Sequence, residues 1–263
     1  MDDELGGAAF VGADGDDRKK VSVIGAGAFG TALAMVAARN GHEVVIYARS
    51  QQVVDSINYE HKKPKYLSDF MLPENLSATS SVVDAVTNVD MLILALPCQI
   101  IPGWLAEYKD LISPSTLLVN SAKGLYLAEE CLLSEAVERA LGSRNQPYCV
   151  LSGPSFAIEI AKGMPTAVVV ASTFLRYAVA AQVILSSLIF RVYTSEDIIG
   201  VQLGGALKNP LAIGAGMVEG HGLGINTMAF YITRSQLELM ALCRGMGGDR
   251  TLRALPPCPA REL

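Results

Sequence analysis

No cysteine in this sequence stands within three residues of another, so neither a CxxC redox pair nor a zinc-ligand spacing is present. The five cysteines (Cys98, Cys131, Cys149, Cys243 and Cys258) are too sparse for a disulfide framework, and reduced thiols in an intracellular compartment are expected. Positive charge is not in excess: 21 Lys and Arg against 26 Asp and Glu leave a net charge of -5, which excludes a general attraction to nucleic acid or acidic membranes. No uninterrupted apolar run has the length of a membrane span. The first residues, MDDELGGAAFVGADGDDRKK, have neither the apolar region of a secretory signal nor the Arg- and Ser-rich character of a transit peptide. No metal, no nucleic acid and no membrane span are therefore expected, and the chain reads as a soluble cytoplasmic protein.

What the sequence does have is apolar mass. Hydrophobic residues make up 51% and charged ones 18%, enough for a sizeable core. The apolar, β-branched run Val21–Ile24 reads as a strand buried on both faces, followed by a helix over Thr31–Arg39 and a second strand at Val44–Tyr47. A short helix is expected near Gln51–Ile57, and the more polar His61–Leu76 reads as a loop crossing the sheet edge. Further strands are expected at Met91–Leu96, Thr116–Asn120, Cys149–Leu151, Ala167–Ala171 and Phe190–Tyr193. Strands alternating with helical patterns predict an α/β fold with a Rossmann-like, mainly parallel sheet. After about Ser195 the β-branched runs vanish and Gly, Ala, Leu and Met dominate, which predicts a helical region next. The expected organisation is a disordered acidic tail over 1–19, a nucleotide-binding domain over 20–194, a partial helical domain over 195–248 and an irregular tail over 249–263.

Gly25-Ala26-Gly27-Ala28-Phe29-Gly30 fits GxGxxG directly after a strand and before a helix. Gly25 allows the tight turn, Gly27 lets a pyrophosphate approach the backbone, and Gly30 lets the helix pack on the strand. The free amides and positive helix end favour phosphate, so a dinucleotide, NAD or NADP, is expected here. The second strand ends Tyr47-Ala48-Arg49, with no acid to read a ribose 2′-hydroxyl. Arg49 is placed to stack on adenine or pair with a 2′-phosphate, or else is a solvated surface arginine.

Three more stretches carry candidate chemistry: Asn120-Ser121-Ala122-Lys123-Gly124-Leu125, then Leu151-Ser152-Gly153-Pro154-Ser155-Phe156-Ala157 with Glu159, then Val201-Gln202-Leu203-Gly204-Gly205-Ala206-Leu207-Lys208-Asn209-Pro210. Taken singly, each has a duller explanation, because a lone lysine is usually solvated and Gly-Pro is usually a turn. Together, with VIGAGAFGTALA, FRVYTSEDIIGVQLGGALKN and AIGAGMVEGHGLGINT, they resemble the NAD(P)-dependent glycerol-3-phosphate dehydrogenase family from Val21 to about Gly248. That resemblance implies reversible reduction of dihydroxyacetone phosphate to glycerol 3-phosphate, which feeds lipid synthesis, in a two-domain protein that forms a homodimer. It makes Lys208 the acid/base and Lys123 its catalytic assistant, which also touches substrate and cofactor. Gly153, Ser155 and Asn209 would hold substrate, while Gly25, Gly27, Ala28, Phe29, Gly30, Arg49 and Ala157 would hold the cofactor.

Two departures qualify the resemblance. Pro210 stands where the family places an apolar residue, and is expected to bend or start a helix there. Beyond Gly248 the chain reads DRTLRALPPCPARE rather than the family's continuation, whose arginine grips the substrate phosphate; Arg250, Arg253 and Arg261 are not in matching context. A C-terminally truncated member with an incomplete all-α substrate domain is expected, leaving apolar helix faces uncovered. The alternatives are a reductase of another small hydroxy acid or phosphate, and a catalytically impaired dinucleotide-binding truncation product.

Overall fold

The computed structural model describes residues 18–248. The tail expected over 249–263, and all but two residues of the one expected over 1–19, lie outside the described residues. Regular structure runs β1 (Lys20–Ile24), α1 (Ala28–Arg39), β2 (Glu43–Tyr47), α2 (Gln51–Glu60), β3 (Leu76–Thr79), α3 (Val82–Val86), β4 (Met91–Leu94), α4 (Ile101–Tyr108) and β5 (Leu117–Asn120). A small hairpin of β6 (Leu125–Tyr126) and β7 (Cys131–Leu132) leads into α5 (Leu133–Leu141) and β8 (Tyr148–Ser152). Then come α6 (Ala157–Ala161), β9 (Thr166–Ala171), α7 (Leu175–Leu185), β10 (Phe190–Ser195) and two long helices, α8 (Ile198–Gly220) and α9 (Gly224–Gly245).

The large sheet has the order β10-β9-β8-β5-β4-β1-β2-β3. Every pairing is parallel except β8 with β9, where Val150 faces Ala171 and Ser152 faces Val169. This is the mainly parallel, doubly covered sheet that the β-branched runs require. All of β4 and β5 is buried, as are Val21 to Ile24 of β1, because helices lie on both faces. One core gathers α1, α6 and α7 against the sheet; the opposite one gathers α3, α4 and α5 around Leu92, Leu94, Trp104 and Leu118. The chain order reverses between β1 and β4, where the loops following the two strands part and leave a crevice.

Three local findings differ from the sequence reading. Residues expected as loop up to Leu76 give way there to β3, an edge strand whose Leu-Ser-Ala-Thr is too short and polar to announce itself; it pairs with β2 from Val44↔Leu76 to Tyr47↔Thr79. The β6–β7 hairpin was not foreseen either, having two residues per strand. Pro210 does not start a helix: α8 runs through it. Pro210 has no N–H to give the Ala206 carbonyl, and just beyond it the Tyr231 hydroxyl of α9 donates to the Leu211 carbonyl at 2.9 Å.

α8 has two unlike halves. Asp197 caps its start, accepting from the Gly200 amide at 2.8 Å, and Gly200 to Gly205 are buried, with Val201 packed on Val150, Val169 and Ala171. From Lys208 onward the helix is largely solvent-facing, and Ile213, Met217, Ile225 and Phe230 of the α8–α9 pair are well exposed. Among the described residues no helix is long and apolar enough to cross a membrane.

Candidate active site

The glycine turn lies between β1 and α1. Gly25 has φ +122°, which side chains avoid, and a Cβ there would fall 2.5 Å from the Ala95 carbonyl oxygen at the end of β4. Gly27 is the N-cap residue of α1, and nothing lies within 4 Å of where its Cβ would be. That open space above unpaired helix amides fits a dinucleotide pyrophosphate. Gly30 is packed tightly, its Cβ position 3.0 Å from that of Ala95, and Thr31 ties the turn down through Oγ1 donating to the Gly27 carbonyl at 2.8 Å. Arg49, beyond the end of β2, is exposed.

Asn120 at the end of β5 is fully buried, and its Oδ1 accepts from the Ala122 amide at 3.0 Å. The turn so shaped presents Lys123. Its Nζ donates to the Gly153 carbonyl at 3.0 Å and sits 5.6 Å from the centre of the Phe29 ring. Burial, and then the charge of Lys208, lower its pKa to about 8. Gly153 has φ +153° and no room for a side chain, since a Cβ would lie 2.9 Å from the Ala167 carbonyl oxygen. Ser155 Oγ donates to the same Gly153 carbonyl at 3.1 Å. Phe156 follows, then Ala157 opens α6.

Lys208 comes from the third stretch. Its Nζ lies 5.8 Å from the centre of the exposed Phe156 ring. The two lysines thus reach one crevice from opposite sides, one off the sheet and one off α8, each beside an aromatic ring. The structure therefore gathers Phe29, Lys123, Gly153, Ser155, Phe156 and Lys208 where β1, β5 and β8 end. Asn209, next to Lys208, is exposed, and Arg49 stands apart at β2.

Lys63 went unremarked in the sequence. It belongs to the irregular stretch between α2 and β3, is 3% exposed, and donates its Nζ to the Ala26 carbonyl inside the glycine turn. Burial lowers its pKa to about 8. Three lysines among Lys62-Lys63-Pro64-Lys65 were the available signal, but nothing in it says which one turns inward.

Comparison with known proteins bears on this geometry. The family model described as the NAD-dependent glycerol-3-phosphate dehydrogenase N-terminus matches residues 20–178, and that of the C-terminus matches 197–255. A glycerol-3-phosphate dehydrogenase [NAD(P)+] of Leptospira biflexa is 40% identical over 231 residues, covering 88% of this chain and 69% of its own. A chloroplastic glycerol-3-phosphate dehydrogenase [NAD(+)] of Oryza sativa is 43% identical over 235 residues, and there the match spans 89% of this chain but only 53% of the rice protein. The crystal structure of glycerol-3-phosphate dehydrogenase from Coxiella burnetii superposes with a TM-score of 0.80 at 35% identity, over 89% of this chain and 71% of that one.

Proposed function

This chain belongs to the NAD-dependent glycerol-3-phosphate dehydrogenase family, and from that premise we propose that it interconverts dihydroxyacetone phosphate and sn-glycerol 3-phosphate with NAD or NADP, supplying glycerol 3-phosphate for lipid synthesis. The observation that carries this reading is the convergence of Lys123 and Lys208 on one crevice beside the glycine turn. Residues 20–194 bind the dinucleotide, and the helical 195–248 supply the acid/base and one wall of the substrate site.

The dinucleotide, when bound, supplies or takes the hydride. The chain does the rest. Gly27, Ala28 and Phe29 at the start of α1 receive the pyrophosphate and the ring that follows it, while Gly25 and Gly30 keep the turn tight enough for that approach. Arg49 and Ala157 contribute further cofactor contacts. Lys123 holds the substrate oxygens with a charged, half-buried ammonium, and Gly153, Ser155 and Asn209 line the substrate pocket. Lys208 gives its proton to the carbonyl oxygen during reduction and takes it back during oxidation; its charge also offsets the developing oxyanion. The protein works in the cytoplasm as a homodimer, which covers the apolar surface of α8 and α9.

Dihydroxyacetone-phosphate-dependent oxidation of NADH and NADPH by the purified chain tests the proposal directly. Turnover with this substrate and not with other small hydroxy-acid precursors supports it. Tight dinucleotide binding with no turnover on any of them removes the catalytic reading.

A further inference from the structure

Lys63 carries a charge that its surroundings do not use. Its side chain is buried at 3% exposure, and the partners of its ammonium are the Ala26 carbonyl and, at 5.6 Å, the Tyr66 ring. Among the described residues no carboxylate pairs with it. An ammonium has three donors, and holding one carbonyl needs only a neutral amide. Burying a cation for that purpose alone is costly, with no gain over a neutral asparagine amide. The position is not accidental, because Leu67 and Phe70 of the same stretch pack on the core that Ala26 and Phe29 join. The charge is therefore held against the glycine turn, one residue from the open space over Gly27.

We propose that Lys63 is the counter-charge for the pyrophosphate of the dinucleotide, a cofactor-binding residue contributed by the segment between α2 and β3. The proposal rests on the dinucleotide reading above. In the free protein Lys63 pins the Ala26 carbonyl; with the cofactor in place its remaining donors face the phosphate anion. Lys62, Lys65 and Arg49 do not substitute for it, since all three are exposed. The nearness to Ala26 rather than to the end of β2 assigns it to the pyrophosphate, common to NAD and NADP, and not to a 2′-phosphate.

The test is equilibrium binding of NADH, NADPH, ADP-ribose and adenosine to the full chain and to Lys63→Gln and Lys63→Met. Loss of a charge-assisted contact is expected to weaken NADH, NADPH and ADP-ribose alike by about tenfold or more, and to leave adenosine, which has no phosphate, unchanged. Wild-type NADH affinity falls as pH rises through about 8, where the ammonium deprotonates, more steeply than in Lys63→Met. Wild-type affinity in Lys63→Gln overturns the proposal, because a neutral donor then suffices. A loss confined to NADPH also overturns it. A wild type that binds neither dinucleotide overturns the family function and this proposal together, whereas unchanged variants of a binding wild type overturn this one alone.

Discussion

Gly205 of α8 lies directly against Ser152 at the end of β8: a Cβ on Gly205 would fall 2.6 Å from the Ser152 Oγ and 3.7 Å from the Lys123 Cγ. This contact lets α8, the helix that carries Lys208, approach the sheet that carries the cofactor turn, close beside Lys123. Gly205→Ala should gain about 1 kcal/mol of helix propensity and lose about 1–3 kcal/mol to overpacking against a buried serine. Thermal unfolding is therefore expected to shift by only a few degrees while kcat/KM for dihydroxyacetone phosphate falls about tenfold or more, as misplaced catalytic groups are costly. Unchanged kcat/KM in Gly205→Ala would show that the close approach does not position the site.

Lys208→Ala is expected to lower kcat by about 10²–10⁴-fold, the range for removing a general acid. NADH affinity, measured by fluorescence, should stay within about twofold of wild type, since Lys208 is on α8 and the glycine turn is not. Turnover within tenfold of wild type refutes the assignment.

The pH dependence follows from Lys123. Burial and Lys208 lower its pKa to about 8, so the free enzyme carries the full charge below that pH and loses it above. With NADH saturating, so that a loss of cofactor affinity through Lys63 is not read, kcat/KM for dihydroxyacetone phosphate should decline as pH rises through about 8 at constant ionic strength. In Lys123→Met the remaining activity should lack that limb. A wild-type profile flat from pH 7 to about 9.5 removes the role of a charged Lys123.

Arg49 is exposed at the end of β2, free of any neighbouring acid in the Tyr47-Ala48-Arg49 sequence. If its guanidinium pairs with a 2′-phosphate, Arg49→Ala should weaken NADPH by about tenfold or more and NADH by much less. A wild type that strongly prefers NADH would sink this reading.

Much of the sheet was readable because buried parallel strands leave a plain mark: Met91–Leu94 is a continuous apolar run after Asp90, and Val21–Ile24, apolar but for Ser22, runs from Lys20 to Gly25. The edge strand β3 left no such mark, since half of Leu76-Ser77-Ala78-Thr79 faces solvent. The glycine turn was readable for the same physical reason it works, namely that Gly25 and Gly30 have no space for another residue. Lys123, Ser155 and Lys208 were nominated through joint resemblance, and folding brings their stretches to one crevice. Lys63 was not nominated. Its inward turn depends on the path of an irregular segment with positive φ at His61, Tyr66 and Leu67, and no periodicity encodes that.

The division of α8 has a consequence for motion. Its first half packs on the sheet, so those amides are expected to exchange together with the sheet's, and the amides of the more exposed half beyond Pro210 sooner. Lys208 stands just past the buried half. Lys208, the proposed proton donor, thereby stands at the border of the two halves, anchored on its N-terminal side by the packing of α8 on the sheet.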